Sequence, residues 1–443
     1  MAKSLKFPKL PNRRVSRPRL WLWVALAVVL ATAAAVVFWN NANLPAVTNF
    51  LNTTLPSKKA TPGQLVSDEV VSNYTTDQVL AISRQNYGKD APAPKYPVTE
   101  RLIRYDSMLP NGQTVEIYAR VYLPRLAPGE KVPVLAFAPG TTGLGDECAA
   151  SLEDPAKANW ANYQSHMMTY AGQGYAVVIT DYEGMRDSTR IHNYMVGELE
   201  GRAVLDSARA LFNLPEYKQT DKSQLFLGGY SQGGHAVLWA DQIASAYAPD
   251  LTIRGLVAFA PVTDVTRSLS DITKGSTLTW FGPFVLVSYH DYYGHSFPLD
   301  QILQPKWIPT LTTDVLSHCI NTVGKFWPSP AVVYTPKFLA ALSSNTLVSA
   351  GYGTLASDLA ANAVNDQSNT PKLINQGDKD NVILPAQSSD ALVTLCSIGQ
   401  APAKLQIYPG ATHYNVMVKS FNDTLAWMHL VSSGQKPPTD CAS

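Results

Sequence analysis

The chain has 443 residues, enough for two or three domains or for one long α/β unit, and 46% of them are hydrophobic while 16% are charged. That composition excludes a disordered protein. The net charge is only +1, but residues 1–19 hold seven basic residues and no acidic one, so the rest of the chain is acidic overall. This balance gives no support to nucleic-acid binding.

Residues 20–39 form an apolar run that is interrupted only by Thr32. Twenty helical residues span about 30 Å, the thickness of the hydrocarbon core of a bilayer. We therefore predict a transmembrane anchor or an uncleaved signal, with residues 1–19 as a basic cytoplasmic segment and the body outside the cytoplasm. Ala33–Ala35 would also suit a cleavage site. Secretion after signal cleavage is the alternative.

Residues 40–97 are interpreted as a stalk and lead-in to the fold. Residues 40–66 are rich in Asn, Thr, Pro and Ser and show no periodicity, which is typical of a flexible linker. A capping sequence at 75–77 then predicts a short helix to about Gln85.

The body alternates between strand and helix patterns. Over 98–263, the first part of the predicted core, strands are expected at 115–123, 132–138, 175–180, 225–230 and 253–260, and helices near 156–171, 198–212 and 236–240. Such alternation predicts a mostly parallel sheet with helices on both faces.

Residues 264–370 break this alternation with several prolines and with segments rich in Trp and Tyr, which indicates an insertion. The alternation resumes in 371–443, the second part of the core. Here strands are predicted at 371–377 and 404–408, and helices at 385–398 and 414–431.

A serine between glycines stands where a predicted strand meets a predicted helix, in Gly229-Tyr230-Ser231-Gln232-Gly233. At a strand-to-helix turn this pattern is typical of a nucleophile elbow, because small residues let the strand and helix approach closely and expose the hydroxyl. The same pattern occurs by chance in glycine-rich turns. Ser231 is therefore a candidate nucleophile, to be supported by a base and an acid further along the chain.

A serine hydroxyl is a weak nucleophile unless a base lies within hydrogen-bond reach. His413 is the preferred base, because it follows the last predicted strand in a short loop. His429 is interpreted as a helix-face residue, and His318 lies in the insertion ahead of the candidate acids. His235 lies one turn beyond Ser231 on the same helix, faces away from it, and is interpreted as structural.

The acid is expected after the strand that resumes the sheet, where Gly377-Asp378-Lys379-Asp380 offers two aspartates. We prefer Asp380 to Asp378 because Asp380 precedes the apolar run 382–385. Asp264 is a third candidate whose position also suits a turn or a helix cap.

Acyl transfer also needs hydrogen-bond donors to the developing oxyanion. One should be the backbone N–H of Gln232, directly after the nucleophile. The other should lie in the loop 139–145 after the strand 132–138, and Thr141 is the preferred donor there, with its hydroxyl as a further one.

Several motifs in chain order resemble the secretory lipase family, which includes Candida-type lipases. They are PGTTG at 139–143, DECAAS at 146–151, DYEG at 181–184, EGRAVLDS at 200–207 and GYSQGGH at 229–235. The resemblance covers about 100–435. It implies an α/β-hydrolase fold, with a mostly parallel sheet, flanking helices and a large, mainly helical lid insertion at 264–370. It also implies a triad of Ser231, Asp380 and His413. Pro139 departs from the pattern of many hydrolases, which carry histidine before the oxyanion glycine.

The four cysteines allow three pairings, and outside the cytoplasm they are expected to be bridged. The family resemblance implies the pairs Cys148–Cys319 and Cys396–Cys441. We predict no cofactor and no metal site, and His290–His295 is interpreted as a packed or solvent-facing lid segment.

These patterns predict a carboxylic ester hydrolase, a lipase or esterase, that acts on acylglycerol-like or other lipophilic esters through an acyl-enzyme. The insertion is expected to form an apolar lid and acyl-binding wall from its aromatic residues Trp280, Phe281, Phe284, Trp307, Phe326 and Trp327. A peptidase or acyltransferase with the same triad is one alternative. A catalytically silent surface binding protein is another.

Overall fold

The chain divides into two units, residues 1–59 and 60–443. The computed structural model describes residues 61–157, 162–215, 217–399 and 401–441. The predicted membrane segment at 20–39, the basic residues 1–19 and the stalk up to residue 60 lie outside the described residues. Within the described ranges, no helix is both long and apolar enough to cross a membrane.

A nine-stranded sheet forms the centre of the second unit, in the spatial order β1-β2-β3-β5-β4-β6-β7-β8-β9. The strands are β1 (Leu65–Tyr74), β2 (Val98–Met108), β3 (Thr114–Pro124), β4 (Val132–Ala138), β5 (Ala176–Thr180), β6 (Thr220–Tyr230), β7 (Ile253–Phe259), β8 (Lys372–Gly377) and β9 (Ala403–Tyr408). Pairing is antiparallel from β1 to β5 and parallel from β5 through β9. The carboxyl ends of the parallel strands therefore share one edge of the sheet, where open α/β sheets bind ligands.

Helices cover both faces of the sheet. Those outside the insertion are α1 (Thr76–Tyr87), α2 (Tyr163–Gly172), α3 (Gly197–Phe212), α4 (Gln232–Tyr247), α13 (Pro385–Ile398), α14 (Val416–Lys419) and α15 (Phe421–Ser432). Short 3-10 helices lie at 88–90, 146–148, 150–152 and 413–415. The strands β4 and β5 are buried almost throughout, as continuous apolar runs covered on both sides should be. The mostly parallel sheet with flanking helices confirms the predicted α/β fold class.

The insertion is mainly helical, as predicted. It holds α5 (Val265–Asp271), α6 (Phe281–Tyr293), α7 (Leu299–Ile302), α8 (Leu311–Ser317), α9 (Ile320–Phe326), α10 (Pro330–Val333), α11 (Pro336–Ser343), α12 (Gly353–Ala361) and 3-10 turns at 272–274 and 305–310. Thr335 caps α11, and prolines begin α10 and α11, where a missing N–H costs nothing. Pro330 and Pro336, two of the prolines that interrupt the sequence pattern, thus mark the starts of short helices.

The structure differs from the sequence predictions at the edge strands and in the closing helix. Neither β1 (Leu65–Tyr74) nor β2 (Val98–Met108) was predicted, and these two strands pair with each other along most of the length of β1. The closing helix predicted at 414–431 is divided, because a 3-10 turn at 413–415 and α14 precede α15. That division places residue 413 in a turn at the carboxyl edge of the sheet and not inside a helix.

Candidate active site

The turn between β6 and α4 holds Ser231 in a strained backbone conformation, with φ of +57°. Non-glycine residues rarely adopt positive φ, and such strain concentrates at functional sites. A Cβ on Gly229 would collide with the backbone of Gly233, and a Cβ on Gly233 would collide with the carbonyl of Ala138. The two glycines therefore permit the close approach of strand and helix that turns the serine side chain outward.

The structure brings Ser231, His413 and Asp380 together from three separate loops. His413 Nε2 lies 3.0 Å from Ser231 Oγ, and His413 Nδ1 lies 2.8 Å from Asp380 Oδ2. A carboxylate can only accept, so Nδ1 carries the hydrogen and Nε2 is left to accept from the serine hydroxyl. All three side chains are buried, with 8% or less of each residue exposed.

Asp380 is held by further donors. Its Oδ1 accepts from the N–H groups of Val382 and Ile383 at 2.8 and 2.9 Å, and its Oδ2 accepts from Gln376 Nε2 at 3.1 Å. These bonds satisfy the acceptor oxygens of the carboxylate and fix its direction. Asp378, the competing aspartate, instead accepts from the N–H of Gly410 at 2.6 Å and braces the turn that leads to the histidine.

Tyr230 supports the histidine from the strand side. Its hydroxyl donates to the carbonyl of His413 at 3.0 Å, and the two rings are 4.8 Å apart. Burial raises the pKa of Tyr230 well above its ordinary value, so the phenol remains a neutral donor. Burial also raises the pKa of Tyr414, whose side chain lies at the rim of the same site.

The residues that the sequence analysis set aside lie away from the serine. His429 is on α15, with its ring 6.1 Å from that of Tyr175, and His318 stacks on Phe326 in the insertion. Asp264 caps α5 by accepting from the N–H of Arg267. His235 is completely buried beneath the elbow.

Thr141 lines the same cavity as Ser231, at the carboxyl end of β4. Its Oγ1 lies 2.9 Å from the hydroxyl of Tyr194, and the neighbouring carbonyl of Pro139 accepts from the hydroxyl of Tyr182 at 2.6 Å. Gln232 begins α4, so its N–H belongs to the positive end of a helix. Two buried tyrosines thus fix the loop at the position where the sequence analysis expects the second oxyanion donor.

Disulfide bonds join Cys148 to Cys319 and Cys396 to Cys441. The first ties the flank of the Thr141 loop to the insertion at the start of α9. Next to it, the N–H of Ile320 donates to the carbonyl of Thr142 at 2.8 Å. The second bond ties α13 to the C-terminal tail.

A cavity of about 450 Å³ opens at Ser231, between the sheet edge and the insertion. Most of its wall is apolar, with hydroxyl groups interspersed. The apolar lining is Ile272, Leu278, Trp280, Ile320, Pro328, Pro330 and Val382, and the hydroxyls are those of Thr141, Ser276, Thr277 and Thr279.

The expected acyl wall differs in its aromatic residues. Of the six aromatic residues predicted to form this wall, only Trp280 lines the cavity; the others are Phe281, Phe284, Trp307, Phe326 and Trp327. Phe281, Phe284 and Trp327 are buried within the lid itself, where Phe284 packs against both tryptophans 280 and 327. Their large surfaces hold the short helices together, which leaves prolines and aliphatic side chains to face the cavity.

The fold and this constellation define the class as α/β-hydrolase, with a serine, a histidine and an aspartate in hydrogen-bonded sequence. A family model described as Secretory lipase matches residues 161–439, more than half of the chain. The protein belongs to the secretory lipase family. Family membership and two disulfides indicate a location outside the reducing cytoplasm.

Known proteins are similar to this chain over parts of their length. A Mycobacterium tuberculosis protein named as a probable inactive lipase is 28% identical over 208 residues, 46% of this chain and 44% of its own. Lipase 1 of Candida albicans is 25% identical over 281 residues, 61% of this chain and 55% of its own. The chain thus matches about half the length of these curated relatives.

Among solved structures, the ligand-bound form of a rice cell wall degrading esterase from Xanthomonas oryzae superposes with a TM-score of 0.70. It is 18% identical, and the match covers 85% of this chain and 100% of the esterase. At that identity the likeness shows the fold alone.

Proposed function

We propose that this protein is a serine hydrolase that cleaves carboxylic esters of lipophilic acids, with Ser231, His413 and Asp380 as its catalytic residues. The observation that carries the proposal is the chain of hydrogen bonds from Asp380 through His413 to Ser231 Oγ, at the base of a largely apolar cavity. Nucleophile, base and orienting acid are each within hydrogen-bond reach of the next, which is the arrangement that acyl transfer requires.

In the proposed reaction Ser231 Oγ attacks the ester carbonyl carbon while His413 Nε2 takes the hydroxyl proton. The carbonyl oxygen becomes an oxyanion that the N–H groups of Gln232 and Thr141 stabilise. The imidazolium, stabilised by Asp380, then gives its proton to the leaving alcohol as the ester C–O bond breaks, which leaves an acyl-serine. Water repeats the sequence, and the carboxylic acid is released.

The cavity supports a lipophilic acyl group as the bound part of the substrate. Its apolar wall removes hydrocarbon from water, and a volume of about 450 Å³ lies within the range of small-molecule sites. The relatives named as lipases fit this proposal.

We also propose that residues 20–39 anchor the protein in the membrane, with the hydrolase outside the cytoplasm. The support is the length and apolar character of this segment and the basic residues before it. Fractionation of cells that produce the full chain, followed by N-terminal sequencing of the product, tests the proposal. An N-terminus downstream of residue 35 on a protein released to the medium would contradict it.

The test of activity is hydrolysis of p-nitrophenyl esters from two to sixteen carbons by the wild type and by Ser231→Ala. We expect the variant to lose at least about 1,000-fold in kcat with an unchanged melting temperature, because it removes the nucleophile and leaves the packing in place. The matched control is Ser223→Ala, at an exposed serine on β6, the strand that leads to Ser231, and it should keep the wild-type rate. Wild-type hydrolysis by Ser231→Ala would refute the proposal.

Two further measurements address the alternatives. Comparison of matched ester and anilide substrates, with and without added alcohol, separates an esterase from a peptidase or an acyltransferase. Labelling of Ser231 by a fluorophosphonate separates an enzyme from a silent binding protein. The second measurement has particular weight because one relative is named as inactive.

A further inference from the structure

A buried group of polar side chains lies directly beneath the nucleophile elbow. Glu200 on α3 is 1% exposed, and His235 on α4 is fully buried. Glu200 Oε1 accepts from Gln232 Nε2 at 2.7 Å, and Glu200 Oε2 faces His235 Nδ1, also at 2.7 Å. No step of the proposed reaction uses these groups. Burying a carboxylate is nevertheless costly unless its hydrogen bonds are satisfied, so the arrangement requires a physical account.

The hydrogen bonds around His235 define where the protons are. Its Nε2 lies 2.8 Å from the carbonyl oxygen of Asn362, which can only accept, so Nε2 carries a hydrogen. Its Nδ1 faces the carboxylate of Glu200 at hydrogen-bond distance, and one proton must therefore lie between the two groups. Both carboxylate oxygens of Glu200 are then satisfied, one by His235 and the other by donors at the elbow.

The same reasoning fixes the side chain of Gln232. His192 Nδ1 donates to the carbonyl of Glu183 at 3.1 Å, so His192 Nε2 is an acceptor and receives a hydrogen from Gln232 Nε2 at 2.9 Å. The reversed amide would place its oxygen against two acceptors, His192 Nε2 and Glu200 Oε1. Only one orientation of the Gln232 amide is therefore favourable. The side chain adopts this orientation although its Oε1 has no hydrogen-bond partner among the described residues.

The carboxylate also reaches the other side of the site. Glu200 Oε1 accepts from the N–H of Met195 at 3.0 Å, and Met195 has a positive φ of +59°. The preceding residue, Tyr194, contacts Thr141 Oγ1 with its hydroxyl. One carboxylate oxygen thus binds both the side chain of Gln232 and the segment that supports Thr141. Gln232 and Thr141 are the two residues proposed to stabilise the oxyanion.

We propose that Glu200 is a positioning residue for the oxyanion hole. It acts through Gln232 on one side and through Met195 and Tyr194 on the other, and it does not touch the substrate. The inference rests on the proposed function, since it assigns a role to Glu200 only if an oxyanion forms at Ser231. Misplacing a donor by about 1 Å can cost up to about 100-fold in rate.

The test compares Glu200→Ala with Glu200→Gln on a p-nitrophenyl butyrate substrate. We expect Glu200→Ala to lower kcat by about 10- to 100-fold and to change KM by less than about twofold, because oxyanion contacts form only in the transition state. Glu200→Gln should recover to within about threefold of the wild type. Its amide oxygen can accept from Gln232, and its NH₂ can donate to a neutral His235. If Glu200→Gln is as slow as Glu200→Ala, the proposed hydrogen-bond role is wrong.

A second variant keeps the test decisive if Glu200→Ala does not fold. Gln232→Met removes the side-chain link and keeps both the backbone N–H and the Glu200–His235 pair, and we expect the same loss of kcat. In both variants the affinity for phenylboronic acid, which forms a tetrahedral adduct with Ser231, should fall by the same factor as kcat/KM. A merely structural role would not produce that match.

The control is Asp206→Asn, another buried acid on α3, whose partners are Ser107, Arg209 and Tyr247. It should lower the melting temperature and leave kcat within about twofold. Wild-type kcat in a folded Gln232→Met or Glu200→Ala variant would overturn the inference while leaving the proposed function intact. Wild-type hydrolysis by Ser231→Ala would instead overturn the proposed function.

Discussion

Replacing both Cys148 and Cys319 by serine would remove the covalent link between the insertion and the flank of the loop that carries Thr141. The bond closes a loop of 171 residues and so lowers the entropy of the unfolded chain. This loss corresponds to a stabilisation of the folded state by ~5 kcal/mol. The bond between Cys396 and Cys441 closes only 45 residues, yet it corresponds to ~4 kcal/mol because the entropy depends on the logarithm of loop length. We therefore expect the two double variants to lose similar amounts of unfolding free energy.

Their effects on activity should differ. Cys148 is next to the oxyanion loop, and the hydrogen bond from Ile320 to Thr142 depends on the position of the same lid segment. Loss of the Cys148–Cys319 bond should therefore lower kcat by about 10-fold or more, since small displacements of an oxyanion donor are costly. Loss of the Cys396–Cys441 bond should leave kcat at 25 °C within about twofold.

The assay measures urea unfolding and p-nitrophenyl butyrate hydrolysis for the wild type, for Cys148→Ser/Cys319→Ser and for Cys396→Ser/Cys441→Ser. Each double variant serves as the control for the other. Equal kcat in the two variants would refute the link between the lid disulfide and the oxyanion loop. Stabilities that differ by more than ~3 kcal/mol would refute the entropic estimate.

Three further substitutions test the site and its support. Asp380→Asn should lower kcat by about 1,000-fold or more, because an amide can donate to His413 Nδ1 and so move the ring hydrogen to Nε2; a loss below tenfold would contradict this. Gly233→Ala should cost more than ~3 kcal/mol of unfolding free energy, since its Cβ meets a backbone carbonyl, whereas Gly353→Ala, with open space around it, should be nearly neutral by thermal melting. Burial raises the pKa of Asp181 from 3.8 to about 6. The folded protein therefore binds a proton that the unfolded chain has released, and the unfolding free energy should fall by ~3 kcal/mol as pH rises from about 4 to about 6. Asp181→Asn should flatten that part of the urea-unfolding profile, and an unchanged slope would show that the carboxyl is already ionised.

Local sequence patterns were sufficient to predict the position of a residue in the fold where one strand end and one short turn determine that position. The strand-to-helix turn at Ser231 requires glycines that a sequence displays directly. Asp380 was preferred to Asp378 because it precedes the apolar run 382–385, and in the structure the backbone N–H groups of Val382 and Ile383 in that run donate to its carboxylate. The alternating strands and helices likewise predicted the parallel part of the sheet.

Contacts between distant segments could not be predicted in this way. Glu200 and His235 lie on neighbouring helices, and nothing in the sequence around either residue indicates the other. The same is true of the insertion. The packing of its short helices buries Trp327 and places Trp280 at the cavity, and the amino-acid composition of the segment does not indicate which tryptophan takes which position. The edge strand β1 was missed because most of its side chains are exposed and its apolar pattern is therefore weak.

The C-terminal tail lies along β9, the strand at the far edge of the sheet, whose loop carries His413. The N–H of Asp440 donates to the carbonyl of Ala403, and its carboxylate accepts from the N–H of Leu405. An edge strand is open to local unfolding at a free energy below that of the whole domain, and here such an opening would withdraw the base while the core stays folded. The Cys396–Cys441 bond fastens the tail over this strand, so it should set how long activity survives heating. Amide hydrogen exchange in β9 should therefore accelerate when the bond is reduced, and inactivation should then precede the melting of the remaining sheet.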